Sequence, residues 1–220
     1  MRRSCLVLPA VCLLLLTGCR GASADYTLIF DLPDEDKRSQ LASASMRIVE
    51  RRLLAMGEEP LEKELRAENG ETHLQLTLVN GTIKEILTEQ LTALFALRFM
   101  KESAPGKGIA VEGHGSFEET GVTEDHFLWM ISSVDETTGK GRVQILFTEE
   151  GRKRMGQIFK ENKGKYIGLF IRNNLVSKLL VESQELKEDI VITDIPTAEL
   201  ATVFADDVNV GLHVTFVPAN

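Results

Sequence analysis

The strongest hydrophobic patterning lies between Arg142 and Val181, in RVQILFTEEGRKRMGQIFKENKGKYIGLFIRNNLVSKLLV. Val143, Ile145 and Phe147 alternate with other residues, the period of a half-buried strand. Thr148 stands where a helix N-cap belongs, with Glu149 and Glu150 in the first turn, near the positive end of the helix dipole. Met155, Ile158 and Phe159 fall three or four apart and form a narrow apolar stripe, and Gly164, set among lysines, stops the helix. Two β-prone runs, 166–171 and 175–181, meet at Arg172-Asn173-Asn174, where asparagine accepts the left-handed backbone of a tight hairpin. The stretch predicts β-α-β-β and carries no chemistry of its own.

The same reading extends along the chain. A strand is predicted over 26–30, then a helix opened by Pro33 and Asp34, with Ala42, Met46, Val49, Leu53 and Met56 on one stripe and Gly57 closing it. Strands over 61–67 and 72–79 flank Asn69-Gly70, a hairpin signal; Leu74, Leu76 and Leu78 face inward and His73 faces the opposite way. Thr82 is the expected cap of a second helix with Ile83, Ile86, Leu87, Leu91 and Leu94 inward, followed by a strand over 95–100. This order, βαββαβ, is ferredoxin-like and decides no function by itself. Segment 103–121 holds five glycines and reads as a loop; its Pro105-Gly106-Lys107-Gly108 lacks phosphate-loop spacing. A strand over 127–134 turns at 135–141 into the one at 142–147. After a polar loop, 182–188, come a strand at 189–193 and a helix from Pro196 with Leu200, Val203 and Phe204 inward. Val210, Leu212, Val214 and Phe216 alternate as a closing strand.

The N-terminus reads as an address. Arg2 and Arg3 precede an apolar run, 5–16, that is shorter than the roughly 20 residues of a membrane helix and suits a secretory leader. It ends in Leu16-Thr17-Gly18-Cys19, which resembles a bacterial lipobox; the resemblance implies acyl chains (palmitate among them) on Cys19 and removal of residues 1–18. Each buried methylene contributes about 0.8 kcal/mol, so two or three chains anchor stably. Cys5 and Cys12 leave with the leader, and no thiol remains for a disulfide or a thiolate metal site. No later run reaches spanning length, so the expectation is anchored and not spanning. Arg20 after the lipidated cysteine implies the outer membrane over the inner by the enterobacterial sorting pattern. With 43% apolar and 26% charged residues the composition is globular. The formal charge of −8, more negative still without Arg2 and Arg3, repels phosphate backbones and excludes nucleic acid as a partner.

Candidate chemistry is sparse. His73, His114, His126 and His213 lack metal-ligand spacing, and His213, between Leu212 and Val214, is expected to face outward from a strand. No G-x-S-x-G elbow exists. The acids Asp34-Glu35-Asp36, Glu118-Glu119 and Asp206-Asp207 fall at predicted ends or loops, where solvated carboxylates sit. The expectation is a protein with no catalytic residue, no metal and no cofactor. Trp129, the sole tryptophan, reads either as a sheet-face aromatic or as a ligand-facing anchor.

The central stretch resembles a known family. The order strand, (F)T-x-E-G-x-(K/R), helix with E-N, G-K, strand, tight turn, strand is carried by Phe147, Thr148, Glu150, Gly151, Glu161, Asn162, Gly164 and Lys165. It is similar to the first periplasmic domain of SecD, a protein-export subunit. Arg52-Leu53-Leu54-Ala55-Met56-Gly57 and Phe95-Ala96-Leu97-Arg98-Phe99 resemble parts of that domain's base, and the resemblance covers about 26–218. There are departures: Asn173-Asn174 replaces an Asp-Gly turn, Ser177-Lys178-Leu179-Leu180 lacks a proline, and Pro33-Asp34 replaces a glycine pair. No membrane helices follow Asn220, so the family's proton-driven activity is not expected of this chain.

After the leader 1–18 and a tether 19–25 read from the N-terminus, the resemblance implies an α+β fold with a ferredoxin-like base from 26–101 and 191–220 and an inserted α+β head, 102–190. Joined to the expected anchor on Cys19, it implies a lipid-anchored, periplasm-facing binding module for translocating or unfolded polypeptide, or for an export or envelope partner. The alternative is an envelope scaffold with one folded partner. The expected mode is an extended segment adding to an exposed edge of hairpin 127–147 or 166–181. Phe127, Trp129, Phe147, Tyr166 and Phe170 are the candidate contacts.

Overall fold

Strands β1 (Ala22–Phe30), β2 (Glu62–Glu68) and β3 (Glu71–Leu78) build the first sheet together with the last strand of the chain, β12 (Val214–Pro218), in the antiparallel order β12-β1-β3-β2. These assignments come from a computed structural model that describes residues 21–186 and 189–219. Alternation buries Ala24, Tyr26 and Leu28 from β1 and Leu74, Leu76 and Leu78 from β3. Two helices cover that face: α1 (Glu35–Ala55), which supplies Leu41, Ile48, Val49 and Leu53, and α2 (Gly81–Thr92), which supplies Leu87 and Leu91. Asp34 caps α1 by accepting from the Lys37 amide, and Gly57, at φ +74°, takes the left-handed turn that ends it.

Several expectations shift here. Residues 22–25, expected in the tether, are the first part of β1, paired with β3 from Ala22 opposite Leu78 to Asp25 opposite Gln75. The stripe of α1 is rotated toward Leu41, Ala44, Ser45 and Ile48, leaving Ala42 and Met46 half-buried. The side chain of Asn80, not Thr82, caps α2, and because that helix stops before Ala93, Leu94 ends 87% exposed. The segment at 95–100 does not close this sheet. It becomes β4 (Leu97–Ser103) in a second sheet, and β12 supplies the fourth strand of the ferredoxin-like order.

Between α2 and β12 lies the rest of the fold, with two more sheets. One has the order β10-β9-β4-β6-β5, with β5 at Ile109–Val111, β6 at Gly115–Thr123, β9 at Tyr166–Ile171 and β10 at Asn174–Leu180. The other has the order β11-β8-β7, with β7 at Phe127–Val134, β8 at Gly141–Phe147 and β11 at Ile190–Ile195. Segment 103–121, expected as a loop, contains the β5–β6 hairpin; Gly106, Gly108, Gly113, Gly115 and Gly121 supply its positive-φ corners. The two sheets share one core with α3 (Glu149–Glu161), where Met155, Ile158 and Phe159 are buried. Phe99, Phe127 and Phe147 pack in that core with ring centroids 5.4–6.1 Å apart.

Local chemistry explains the T-x-E-G signature. Thr148 accepts from the Gly151 amide and donates to the His126 carbonyl oxygen, drawing the start of α3 against the turn at 124–126. A Cβ on Gly151 would stand 2.1 Å from that same oxygen, so only glycine fits.

The C-terminus departs most from its pattern. The run expected as one strand from Val210 is split: α4 (Ala198–His213) continues to His213 and β12 begins at Val214. Ala201, Ala205, Val208 and Asn209 give a helical period that overlaps the alternation of Val210, Leu212 and Val214, and burial against β7, β8 and α1 decides in favour of the helix. Helix α4 therefore sits between the first sheet's helices and the second lobe.

Candidate binding edge and the seam between the lobes

A sheet can take an added strand only where an edge is open. Strand β7 ends its sheet, yet α4 occupies that edge. Asn209 accepts from the Met130 amide at 2.7 Å and donates to the Met130 carbonyl at 2.8 Å, imitating a neighbouring strand. Nε2 of His213 lies 2.9 Å from the Leu128 carbonyl, and the Ser132 and Thr202 hydroxyls are 3.4 Å apart. The first hairpin is thus closed to augmentation as far as Ser132. Phe127 and Phe147, expected to meet a client, are each 4% exposed and belong to the core. They cannot serve as surface contacts.

The second hairpin differs. Strand β10 pairs with β9 on one side, from Asn174 opposite Ile171 to Leu180 opposite Tyr166, and ends its sheet on the other. Arg172 and Asn173, at φ 46° and 69°, make its turn. Val176 and Leu180 stand 46% and 40% exposed on this edge. Beside it opens a crevice of about 420 Å³, with Phe159, Leu179, Leu186, Ile190 and Val191 as its apolar lining and Ser183, Glu185 and Asp189 at its margin. A bulge between Leu175 and Ser177 interrupts the edge and restrains unspecific pairing.

On the outer face of β9, Phe170 is fully buried against Phe117, their centroids 5.4 Å apart, so this candidate too is a packing residue. Gly168 leaves room for those rings, since a Cβ there would meet the Phe170 and Leu175 side chains at 2.7 Å. Tyr166 is half-buried; Lys178 Nζ sits 3.9 Å from its ring centroid and donates to the His114 carbonyl at 3.2 Å. Of the five expected aromatics, Tyr166 alone lies next to the open edge.

Trp129 belongs elsewhere. It stacks on the His213 ring at 5.6 Å, with Lys37 Nζ 5.2 Å from its centroid, and borders a groove of about 420 Å³ between α1, β7 and α4. That groove is polar and knit together. Arg47 holds Asp206 through two bonds of 2.8 Å, and Arg51 reaches Asp206 at 3.6 Å and Asp207 at 2.8 Å. The bond to Asp206 raises the Arg47 pKa above the usual guanidinium value. Arg52 is the opposite case: burial, then the nearby charge of Arg172, lower its pKa, and its Nη1 atom is buried with no hydrogen-bond partner.

Sequence reasoning missed Asp206, Asn209 and His213. Asp206 was expected to be solvated and is 8% exposed; His213 was expected to face outward from a strand and is a buried helix-end residue, also 8% exposed. The one available signal was their place on the buried period of α4. Among the described residues no cluster of three or more His, Cys, Asp or Glu side chains could hold a metal, and no helix is long and apolar enough to cross a membrane. Cys19, with the leader 1–18, lies outside the described residues.

No family model matches the sequence, and no curated protein matches it. Solved structures do. The structure of SecDF from Thermus thermophilus, described as a translocon-associated membrane protein, superposes with a TM-score of 0.52 at 16% identity, over 91% of this chain and 31% of that one. The two share a fold. A super-membrane-facing form of SecDF gives 0.48 at 16% identity, over 92% of this chain and 30% of that one. A structure reported for SecDF as a membrane component that enhances protein export gives 0.47 at 17%, over 89% and 98%. The chain thus spans under a third of the longer SecDF chains, and the likeness to the Thermus thermophilus structure covers 91% of it, through both lobes.

Proposed function

We propose that this protein is a periplasm-facing module that binds extended polypeptide, translocating or unfolded, in the setting of protein export, as a binder and not an enzyme. The observation carrying this reading is the open β10 edge beside an apolar crevice, on a fold shared with a translocon-associated membrane protein. A client segment adds as a strand outside β10, its backbone completing the ladder, while alternate side chains turn toward Leu179 and Phe159. Recognition through the backbone tolerates varied sequences, as a carrier of many clients requires. Acyl chains on Cys19 hold the module at the bilayer, and Cys19→Ser should release it from the membrane fraction.

The test is binding of a permanently unfolded model polypeptide to the wild type and to the double variant Val176→Asp, Leu180→Asp. Charges on an open edge block strand addition while leaving exposed positions tolerable to the fold. A tenfold or greater loss of affinity at unchanged stability supports the reading. A wild type that ignores unfolded polypeptide and captures one folded envelope protein would make it a scaffold.

A further inference from the structure

His213 closes α4 at the junction of the two lobes, and both of its ring nitrogens face acceptors. Nδ1 lies 2.9 Å from a carboxylate oxygen of Asp31, and Nε2 lies 2.9 Å from the carbonyl oxygen of Leu128. A neutral imidazole carries one N–H and can donate to only one of them; the imidazolium donates to both. The two acceptors belong to different lobes. Asp31 follows β1 in the base, and its amide donates to the His213 carbonyl at 3.3 Å; Leu128 lies in β7 of the head. The Trp129 ring, inclined 21° to the imidazole, fixes the ring's plane.

Charged groups around the ring come from each neighbouring element that has one. Asp31 comes from the β1–α1 link, Lys37 from α1 lies over Trp129, and Glu124 and Asp125 border the same crevice from the turn before β7. Strands β7 and β12 carry no charged residue, and on α4 Asp206 and Asp207, about two turns away, are engaged by Arg47 and Arg51.

We propose that His213 is a proton-operated latch between base and head: charged, it ties Asp31 to Leu128; neutral, it releases one of them. The seam therefore tightens on acidification and loosens as pH rises.

Amide-exchange protection at 31–32 and 128–130 in the full chain, corrected for intrinsic exchange, tests this at pH 5.5 and pH 8.5, which bracket the range where histidines change charge. Wild-type protection should fall about tenfold between the two, the scale of one charged hydrogen bond. In Asp31→Asn the amide can donate or accept, so a neutral ring keeps both contacts and protection should not change with pH. His126→Gln, which removes the imidazole two residues before Leu128, should retain the wild-type response. Equal wild-type protection at both pH values, or an equal fall in Asp31→Asn, would overturn the latch.

Discussion

Asn209 offers a direct measure of how α4 closes the β7 edge. Its side chain is the sole described partner of the outward amide and carbonyl of Met130, at 2.7 and 2.8 Å, and the residue is 6% exposed. Asn209→Ala leaves a donor and an acceptor without partners. Each such group costs about 1–3 kcal/mol when dry. The adjoining groove can admit water, which lowers the sum to about 2–4 kcal/mol. For a chain of this size that corresponds to a fall in Tm of about 5–12 °C. Urea unfolding should show a lower midpoint at unchanged slope. Asn209→Asp should be at least as damaging, because a carboxylate can accept from the Met130 amide but sets a second oxygen against the Met130 carbonyl. A shift under about 0.5 kcal/mol in Asn209→Ala, which is the scale of an ordinary surface change, would refute the view that α4 substitutes for a strand.

Gly151→Ala, with its Cβ 2.1 Å from the His126 oxygen, should cost about 1–3 kcal/mol by displacing the start of α3, measured by urea unfolding. Arg52→Met should leave stability unchanged or raise it by about 1 kcal/mol or more, because it removes a partly buried guanidinium with one unbonded nitrogen beside Arg172. The Asp135 carboxyl is held below its ordinary value of 3.8, first by the amides of Thr138 and Thr137. A depressed folded-state pKa means the turn's stabilisation is fully present above the ordinary value and is lost as pH falls from there through the folded-state value. Exchange protection at 137–140 should therefore drop on acidification in the wild type and not in Asp135→Asn.

Where local pattern and tertiary demand agreed, the chain could be read directly. Thr148, Met155, Ile158 and Phe159 of α3, and Leu74, Leu76 and Leu78 of β3, sit where their periods put them. The failures have distinct causes. Residues 210–216 satisfy both a helical and a strand period, and only packing between two lobes selects between them. The β5–β6 hairpin is hidden because β5 has only three residues and β6 carries positive-φ glycines at 115 and 121, so the segment reads as loop. Phe127 and Phe147 face the other sheet and α3, and Phe170 packs against Phe117 of its own sheet; alternation along a hairpin tells neither. The seam residues Asp206, Asn209 and His213 meet partners 79 to 182 positions away, and no local window contains both members of such a pair.

The central claim is that β10, and not β7, is the strand that receives a client. Ile131 on β7, within the stretch closed by α4, and Leu180 on β10 are 42% and 40% exposed, so a photo-crosslinking residue at either is comparably accessible. With an unfolded exported polypeptide as the target, crosslinks should form from position 180 and be nearly absent from position 131. Adducts from 131 alone, or equally from both, would contradict the account.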